Sequence, residues 1–130
     1  MDKNLAEFES SPVGSGIRLK NVIERNMNKY IQIITTTSNK EEADKIANVL
    51  VEKKLAACVQ ILGPIKSIYK WKGKIEKANE FLCLIKSKAI KEKEIISMIK
   101  SLHSYEIPEI IVTPIIGGNE DYLKWIEKEV

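Results

Sequence analysis

The chain has 130 residues, a length that fits one domain, and its 44% hydrophobic and 30% charged residues are ordinary for a globular protein. Its formal net charge of +3 comes from 21 basic and 18 acidic residues mixed along the sequence, so no basic block indicates binding to nucleic acid. The sequence has no apolar run of the roughly 18 residues that a membrane span needs and no secretory signal pattern, so a cytoplasmic protein is expected.

Residues 1–28 differ in character from the rest of the chain. Serine, proline and glycine cluster between positions 10 and 16, which is typical of a flexible, turn-rich segment. A short helix over residues 17–27 is the alternative, because Leu19, Val22 and Ile23 have helical spacing. We therefore divide the chain into an N-terminal extension, residues 1–28, and a folded domain, residues 29–130.

The folded domain is predicted to begin with a strand and a helix. Residues 30–36, YIQIITT, are rich in β-branched and aromatic side chains, which favour a strand. Ser38 and Glu41 have the spacing of a capping box, in which both side chains satisfy free amide hydrogens at the start of a helix. Apolar residues then recur at helical spacing and predict a helix through Glu52 with one buried face: Ala43, Ile46, Ala47 and Leu50.

A long β-hairpin is predicted over residues 55–87. Apolar side chains alternate along both arms, as in strands with one buried face: Val59, Ile61, Ile65, Tyr69, Trp71, Phe81, Cys83 and Ile85. Gly73 can take the positive φ that a tight turn requires, and Gly63-Pro64 predicts a bulge in the first arm. Because a strand usually has about 5 to 6 residues, the tip is expected to project from the domain.

A second helix, a fourth strand and a short terminal helix complete the predicted order βαββαβα. Ser87 is expected to cap the second helix. Residues 110–113 are strongly apolar and form the fourth strand, and Pro114 indicates an edge position or a bulge. Asn119 is a good N-cap for the terminal helix, whose apolar face is predicted to carry three residues: Tyr122, Trp125 and Ile126.

This order predicts an α+β, ferredoxin-like fold, with two helices on one face of a four-stranded antiparallel sheet. The other face would carry apolar residues from the third and fourth strands and is too hydrophobic to stay in water. Assembly of identical subunits through sheet edges would cover it. Cys58 and Cys83 fall within apolar strands, so we expect both thiols to be buried and reduced.

Four motifs closely resemble the CutA family of divalent-cation tolerance proteins. They are KKLAAC from Lys53, SIYKWKGKI from Ser67, HSYEIPEI from His103 and DYLKWI from Asp121. They follow the family's order and separations, from about residue 30 to residue 126. The resemblance implies a non-enzymatic homotrimer, similar in architecture to the PII signalling proteins, that binds or senses divalent ions such as copper.

The family's metal role rests on a cysteine at the end of the first strand and on histidines in the loop after the second helix. Thr35, or a neighbouring threonine, stands at the cysteine position, and His103 is the one histidine of the chain. With Glu106 and Glu109 it could hold Cu(II) or Zn(II), although these ions generally take three or four donors. A surface or interface histidine is the alternative interpretation.

Aromatic residues near the ends of the predicted elements suggest a second kind of site. They either pack at a subunit interface or line a cleft between subunits for a small-molecule effector, with Lys86 and Glu106 as polar contacts. The full set is Tyr69, Trp71, Lys86, Tyr105, Glu106, Tyr122 and Trp125. A trimeric scaffold for a partner protein is a third hypothesis.

Nucleophilic catalysis and RNA binding are both disfavoured by the residues available. With His103 as the single histidine, a Cys–His pair would need an exposed strand cysteine. An RNA-binding sheet of this topology carries exposed aromatic residues on its third strand. Phe81 is the single aromatic residue in the corresponding segment, so stacking on RNA is not expected.

Overall fold

A computed structural model describes residues 29–130, so the predicted extension at 1–28 lies outside the described residues. Within this range the chain forms four strands and three α-helices, in the order β1 (Tyr30–Thr37), α1 (Lys40–Glu52), β2 (Cys58–Trp71), β3 (Lys74–Lys88), α2 (Glu92–Leu102), β4 (Ile110–Pro114) and α3 (Glu120–Glu129). A short 3-10 turn, Ala89–Lys91, precedes α2. The predicted order of elements is confirmed. No helix among residues 29–130 is long and apolar enough to cross a membrane.

The four strands form one antiparallel sheet in the order β2-β3-β1-β4. Ile33 of β1 lies opposite Ile85 of β3 on one side and Val112 of β4 on the other. The strand β4 is therefore at an edge, as Pro114 predicted. This connectivity confirms the α+β, ferredoxin-like fold.

The main core lies between one face of the sheet and the helices α1 and α2. It includes six large side chains with no exposed surface: Ile33, Ile46, Leu50, Ile85, Ile95 and Ile99. Burial of one such side chain contributes about 1.5–3 kcal/mol to folding. Cys83 is also fully buried here, as predicted, and burial raises the pKa of its thiol to about 11. Cys58 is half-buried at the start of β2, so the prediction of burial was wrong for this cysteine.

The terminal helix α3 packs on one end of the opposite face of the sheet. Leu123 and Ile126 are buried there against Tyr30. The predicted apolar face was therefore wrong in part, because Tyr122 and Trp125 are 41% and 39% exposed. Their rings lie against each other, with centroids 5.5 Å apart. The buried stripe runs through the aliphatic residues beside the two aromatic ones.

The rest of this second face, which we call the open sheet face, carries an apolar surface. Cross-strand pairing places five aliphatic side chains on it: Ile34, Leu62, Leu82, Leu84 and Ile111. Leu62 and Ile111 are 51% and 49% exposed. Within the described residues, about half of the surface of Leu62 and of Ile111 therefore remains exposed to solvent.

The long hairpin has the turn and the bulge that the sequence predicted. Lys72 and Gly73 both have positive φ, 51° and 82°, as a two-residue turn between right-twisted strands requires. The register shifts between Leu62 and Ile65, at Gly63-Pro64. A Cβ atom at Gly63 would lie 2.4 Å from Cδ2 of Phe81, so the close approach of this ring requires glycine.

Two predicted helix caps differ from those in the structure. The N-cap of α1 is Asn39 and not Ser38, and its side-chain oxygen accepts the backbone N–H of Glu42 at 2.8 Å. Ser87 is a buried residue of β3 and donates its hydroxyl to the carbonyl of Leu55. The 3-10 turn therefore leads into α2 without a side-chain cap. The predicted cap of α3 is confirmed, since Asn119 accepts the N–H of Asp121 at 2.9 Å.

Substitution of Gly63 by alanine is expected to destabilise the protein by about 1–3 kcal/mol, because the new methyl group would overlap the Phe81 ring. Gly117→Ala is the matched control, since its Cβ would meet no atom within 4 Å. Urea denaturation followed by circular dichroism measures both. Equal free energies of unfolding for the two variants would contradict the described packing of Phe81 on Gly63.

Candidate functional site

The loop between α2 and β4, residues 103–109, lies beside the end of β1 and the outer part of the β2–β3 hairpin. A cleft of about 500 Å³ opens between these three parts. Tyr69 and Trp71 line it from the hairpin, Thr36 from β1, and Tyr105 and Glu106 from the loop. Its volume is typical of small-molecule sites, which occupy roughly 300–1,000 Å³.

Both ring nitrogens of His103 are hydrogen-bonded within the subunit. Nε2 lies 2.7 Å from the carbonyl oxygen of Thr36, which can only accept, so Nε2 carries the proton and donates. Nδ1 then accepts the backbone N–H of Tyr105 at 3.1 Å. The side chain has no exposed surface. The alternative of a surface or interface histidine was therefore wrong, because the ring is buried inside one subunit.

Glu42 fixes the same loop to α1. Its Oε2 accepts the backbone N–H of Ser104 at 3.1 Å and lies 3.2 Å from Nδ1 of His103. The Glu42 side chain is 12% exposed. The loop is thus held from two sides, by the Thr36 carbonyl at the end of β1 and by a carboxylate in the first turn of α1.

A buried glutamate anchors the other side of the cleft. Glu80 of β3 is 6% exposed, and its Oε2 accepts the hydroxyl of Tyr105 at 2.7 Å. Burial, and next the hydrogen bond to Glu80, raise the pKa of Tyr105 well above its ordinary range. The Tyr105 ring also packs against the His103 ring, with centroids 4.8 Å apart. Tyr105 therefore connects the histidine to the hairpin.

The structure brings together four of the seven residues predicted for a cleft or interface. Tyr69, Trp71, Tyr105 and Glu106 line the same cleft, and all four belong to one subunit. The expected contribution of a second subunit to the cleft stays a prediction. The other three residues do not line it. Lys86 hydrogen-bonds Gln60 farther along the hairpin, and Tyr122 and Trp125 lie on α3.

The sequence analysis missed Glu80, although a signal for its position exists. Side chains two residues apart on a strand point to the same face of a sheet. Glu80 therefore shares the open sheet face with Leu82 and Leu84, beyond the end of β1, whose last residue pairs with Phe81. A carboxylate on an apolar face indicates a specific partner, which here is the Tyr105 hydroxyl.

The residues predicted to bind metal do not form a three- or four-donor site within one subunit. His103 would have to release the Tyr105 N–H from Nδ1, or release Thr36 and also lose the Nε2 proton, before a nitrogen lone pair became available. The Thr35 hydroxyl is fully buried and has no hydrogen-bond partner, whereas Glu106 is exposed. Across residues 29–130, no group of three or more His, Cys, Asp or Glu side chains could hold a metal ion.

Comparison with known protein families gives a match over nearly the whole described region. A sequence model of one family, described as "CutA1 divalent ion tolerance protein", matches residues 31–129. The matched range begins at the second residue of β1 and ends at the last residue of α3. The match thus includes all of the sheet except Tyr30, the three described α-helices and the loop that borders the cleft.

Individual relatives agree with this match. "Divalent-cation tolerance protein CutA" of Archaeoglobus fulgidus is 45% identical over 104 residues, which cover 80% of this chain and 99% of the relative. "Protein CutA, chloroplastic" of Arabidopsis thaliana is 34% identical over 122 residues, 94% of this chain. The match spans 66% of the length of that plant protein.

A solved structure shows the same fold. It is titled "Structure of the Periplasmic divalent cation tolerance protein CutA from Archaeoglobus fulgidus" and superposes with a TM-score of 0.75 at 44% sequence identity. The superposition covers 77% of this chain and 97% of that one.

Replacement of Tyr105 by phenylalanine is expected to destabilise the protein by about 1–3 kcal/mol, because buried Glu80 loses its one hydrogen-bond donor among the described residues. Because the pKa of Tyr105 is raised in the folded state, its contribution to the free energy of unfolding should depend on pH. The parent should lose this contribution as pH rises above the ordinary tyrosine pKa of about 10, because the folded state then holds a proton that the unfolded state releases.

Urea denaturation of the parent and of Tyr105→Phe between neutral and alkaline pH measures this difference in stability. Tyr69→Phe is the matched control, because the Tyr69 hydroxyl makes no hydrogen bond among the described residues. A difference between parent and Tyr105→Phe that stays constant or grows above pH 10 would contradict the assigned contact.

Proposed function

The chain belongs to the CutA1 divalent ion tolerance protein family, and we propose that it acts without catalysis, as a homotrimer, in tolerance of divalent metal ions such as copper. The observation that carries the role is the family match over residues 31–129. The names of the relatives describe tolerance of divalent cations and not an enzymatic reaction.

The open sheet face supports assembly of the subunit. Ile34, Leu62, Leu82, Leu84 and Ile111 form a continuous apolar surface on neighbouring strands. Association of three such faces would remove it from water, at a gain of roughly 25 cal/mol for each Å² of apolar surface buried. The edge strands β2 and β4 add unpaired backbone groups that can pair between subunits.

The proposed metal ligands are His103 and Glu106, with Cu(II) or Zn(II) as the ion that is bound or sensed. The hydrogen bonds of His103 to Thr36 and Tyr105 oppose this role within an isolated subunit. A complete site would therefore need a local rearrangement of the loop, with further donors from a neighbouring subunit or from water.

A second candidate function is the sensing of a small molecule in the cleft, as in PII-like effector-binding trimers. The cleft itself favours it, since about 500 Å³ between the hairpin and the loop is enough for a metabolite-sized ligand. The described residues that line the cleft belong to one subunit, so this function does not depend on the proposed trimer.

The proposed location is the cytoplasm, as the sequence predicts. The proposal rests on the sequence of this chain and is not taken from its relatives, whose names include a chloroplastic and a periplasmic one.

Sedimentation equilibrium at micromolar concentration is expected to give three times the 14.8 kDa mass of the chain. Ile111→Asp should dissociate the trimer, because it places a charge on the open sheet face. Ile90→Asp is the control, since Ile90 is 80% exposed in the 3-10 turn before α2. A monomeric parent, or an Ile111→Asp variant that sediments as a trimer, would contradict the proposed assembly.

Calorimetric titration with Cu(II) and Zn(II) tests the proposed ligands. His103→Ala and Glu106→Gln should each weaken binding about tenfold or more, because each removes one donor of a small set. Glu52→Gln, an exposed glutamate at the end of α1, should bind as the parent does. Parent-like binding by Glu106→Gln and His103→Ala would remove this loop from the metal site.

A further inference from the structure

The cleft beside the loop 103–109 combines carboxylates with aromatic rings. Its lining includes three of each: Tyr69, Trp71, Glu80, Tyr105, Glu106 and Glu109. The described residues that line it include no lysine, arginine or histidine. We propose that the cleft binds a small organic molecule with a primary ammonium group, which pairs with Glu80 and lies against Tyr69 and Trp71. This rests on the second candidate function, ligand binding in the cleft, and not on the role in metal tolerance.

Glu80 is the group that selects a positive charge. It is 6% exposed, and no basic residue of the described chain forms an ion pair with it. Its Oε2 accepts the Tyr105 hydroxyl, while Oε1 has no donor among residues 29–130. One hydrogen bond uses little of the accepting capacity of a carboxylate, and Oε1 is not among the fully buried polar atoms that lack a partner, so it is open to a further donor from the cleft. An ammonium group would supply both the charge and the N–H donors that this site lacks.

Tyr69 and Trp71 supply the second part of the site. They lie two residues apart on β2, so their rings emerge on the same face of the hairpin, and they are 44% and 38% exposed. The faces of aromatic rings attract cations, tryptophan most strongly. Trp71 already has such a neighbour, because Nζ of Lys72 lies 5.8 Å from the centroid of its ring. The two rings also offer an apolar wall for the body of the ligand.

Other classes of ligand fit this lining less well. Nucleotides and phosphates carry negative charge, which three carboxylates would repel with no basic residue in the lining to offset them. A bare divalent cation needs several donors close together, and residues 29–130 hold no such group of His, Cys, Asp and Glu side chains. A quaternary ammonium ion has no N–H to donate to Glu80. The lining therefore favours a primary amine with an apolar body.

Calorimetric titration of the full chain with phenethylamine tests the proposal. The matched ligand is 3-phenylpropionate, which has the same phenyl and ethylene groups but a carboxylate in place of the ammonium. Phenethylamine should bind, and 3-phenylpropionate should bind at least about tenfold more weakly because the carboxylates of the cleft repel it. Equal binding of the two, or no binding of phenethylamine at about 10 mM, would overturn the proposal.

Variants of the protein identify the site. Glu80→Gln keeps an acceptor for Tyr105 but removes the charge, so phenethylamine should bind about tenfold or more weakly. Glu76→Gln is its control, an exposed glutamate of the same strand that does not line the cleft. Trp71→Leu should weaken binding severalfold, with Trp125→Leu on α3 as its control. Trp71→Leu also tests the site independently if Glu80→Gln does not fold.

Parent-like affinity of Glu80→Gln and of Trp71→Leu would overturn the proposal. Zn(II) binding that is lost in Glu80→Gln while phenethylamine binding is kept would also overturn it, because the cleft would then be a metal site. Failure here leaves the trimer and the Cu(II) titrations unaffected, since they depend on the open sheet face and on His103 and Glu106. The experiments can therefore reject amine binding in the cleft without rejecting the role of the trimer in metal tolerance, and the reverse.

Discussion

The hydrogen bonds of the His103 ring determine where the loop between α2 and β4 lies. One nitrogen donates to Thr36 at the end of β1, and the other accepts the backbone N–H of Tyr105. Tyr105 then reaches the hairpin through its hydroxyl, which donates to Glu80. With the exposed contact of Glu42 to the Ser104 N–H, these partly buried hydrogen bonds connect helix α1, strand β1, the loop and the hairpin. The cleft is the space that they leave open. A buried polar group without a partner costs about 1–3 kcal/mol. Loss of one of these hydrogen bonds should therefore weaken the others.

One face of the sheet packs the core of the subunit, and the other face is the one proposed to associate with neighbouring subunits. The face under α1 and α2 is closed within the subunit by residues such as Ile33 and Ile85, which have no exposed surface. The open sheet face is covered at one end by α3 and leaves Leu62 and Ile111 about half exposed. The cleft lies at the other end of this second face, beside the end of β1, where the hairpin strands continue past β1.

Local patterns in the sequence predicted most of the fold, because they depend on contacts between near neighbours. The turn at Gly73, the bulge at Gly63 and the cap at Asn119 were predicted from such patterns and are confirmed. The single buried face of the hairpin was wrong, because the bulge shifts the register: Ile65 pairs with Glu80, and Tyr69 and Trp71 therefore lie on the open sheet face, 44% and 38% exposed. Ser38 and Asn39 are both good caps, and the sequence alone does not choose between adjacent candidates. The site was harder to predict. His103 contacts a carbonyl 67 positions earlier in the chain, and Glu80 meets a hydroxyl 25 positions later. Such partners are brought together by the assembled fold and cannot be predicted from local spacing. For this reason the sequence predicts His103 as a metal ligand or a surface or interface residue, whereas its ring is buried.

The central claim is that His103 fixes the loop through both ring nitrogens, and the ring's tautomer tests it most directly. The chain has one histidine, so a long-range 1H–15N correlation spectrum of labelled protein at neutral pH reports on this ring without ambiguity. The account predicts a single tautomer with the proton on Nε2 and an unprotonated, hydrogen-bonded Nδ1. Two nitrogens with averaged shifts, as in a freely exchanging imidazole in water, would contradict it. A proton on Nδ1, alone or together with one on Nε2 as in an ion pair with Glu42, would also contradict it.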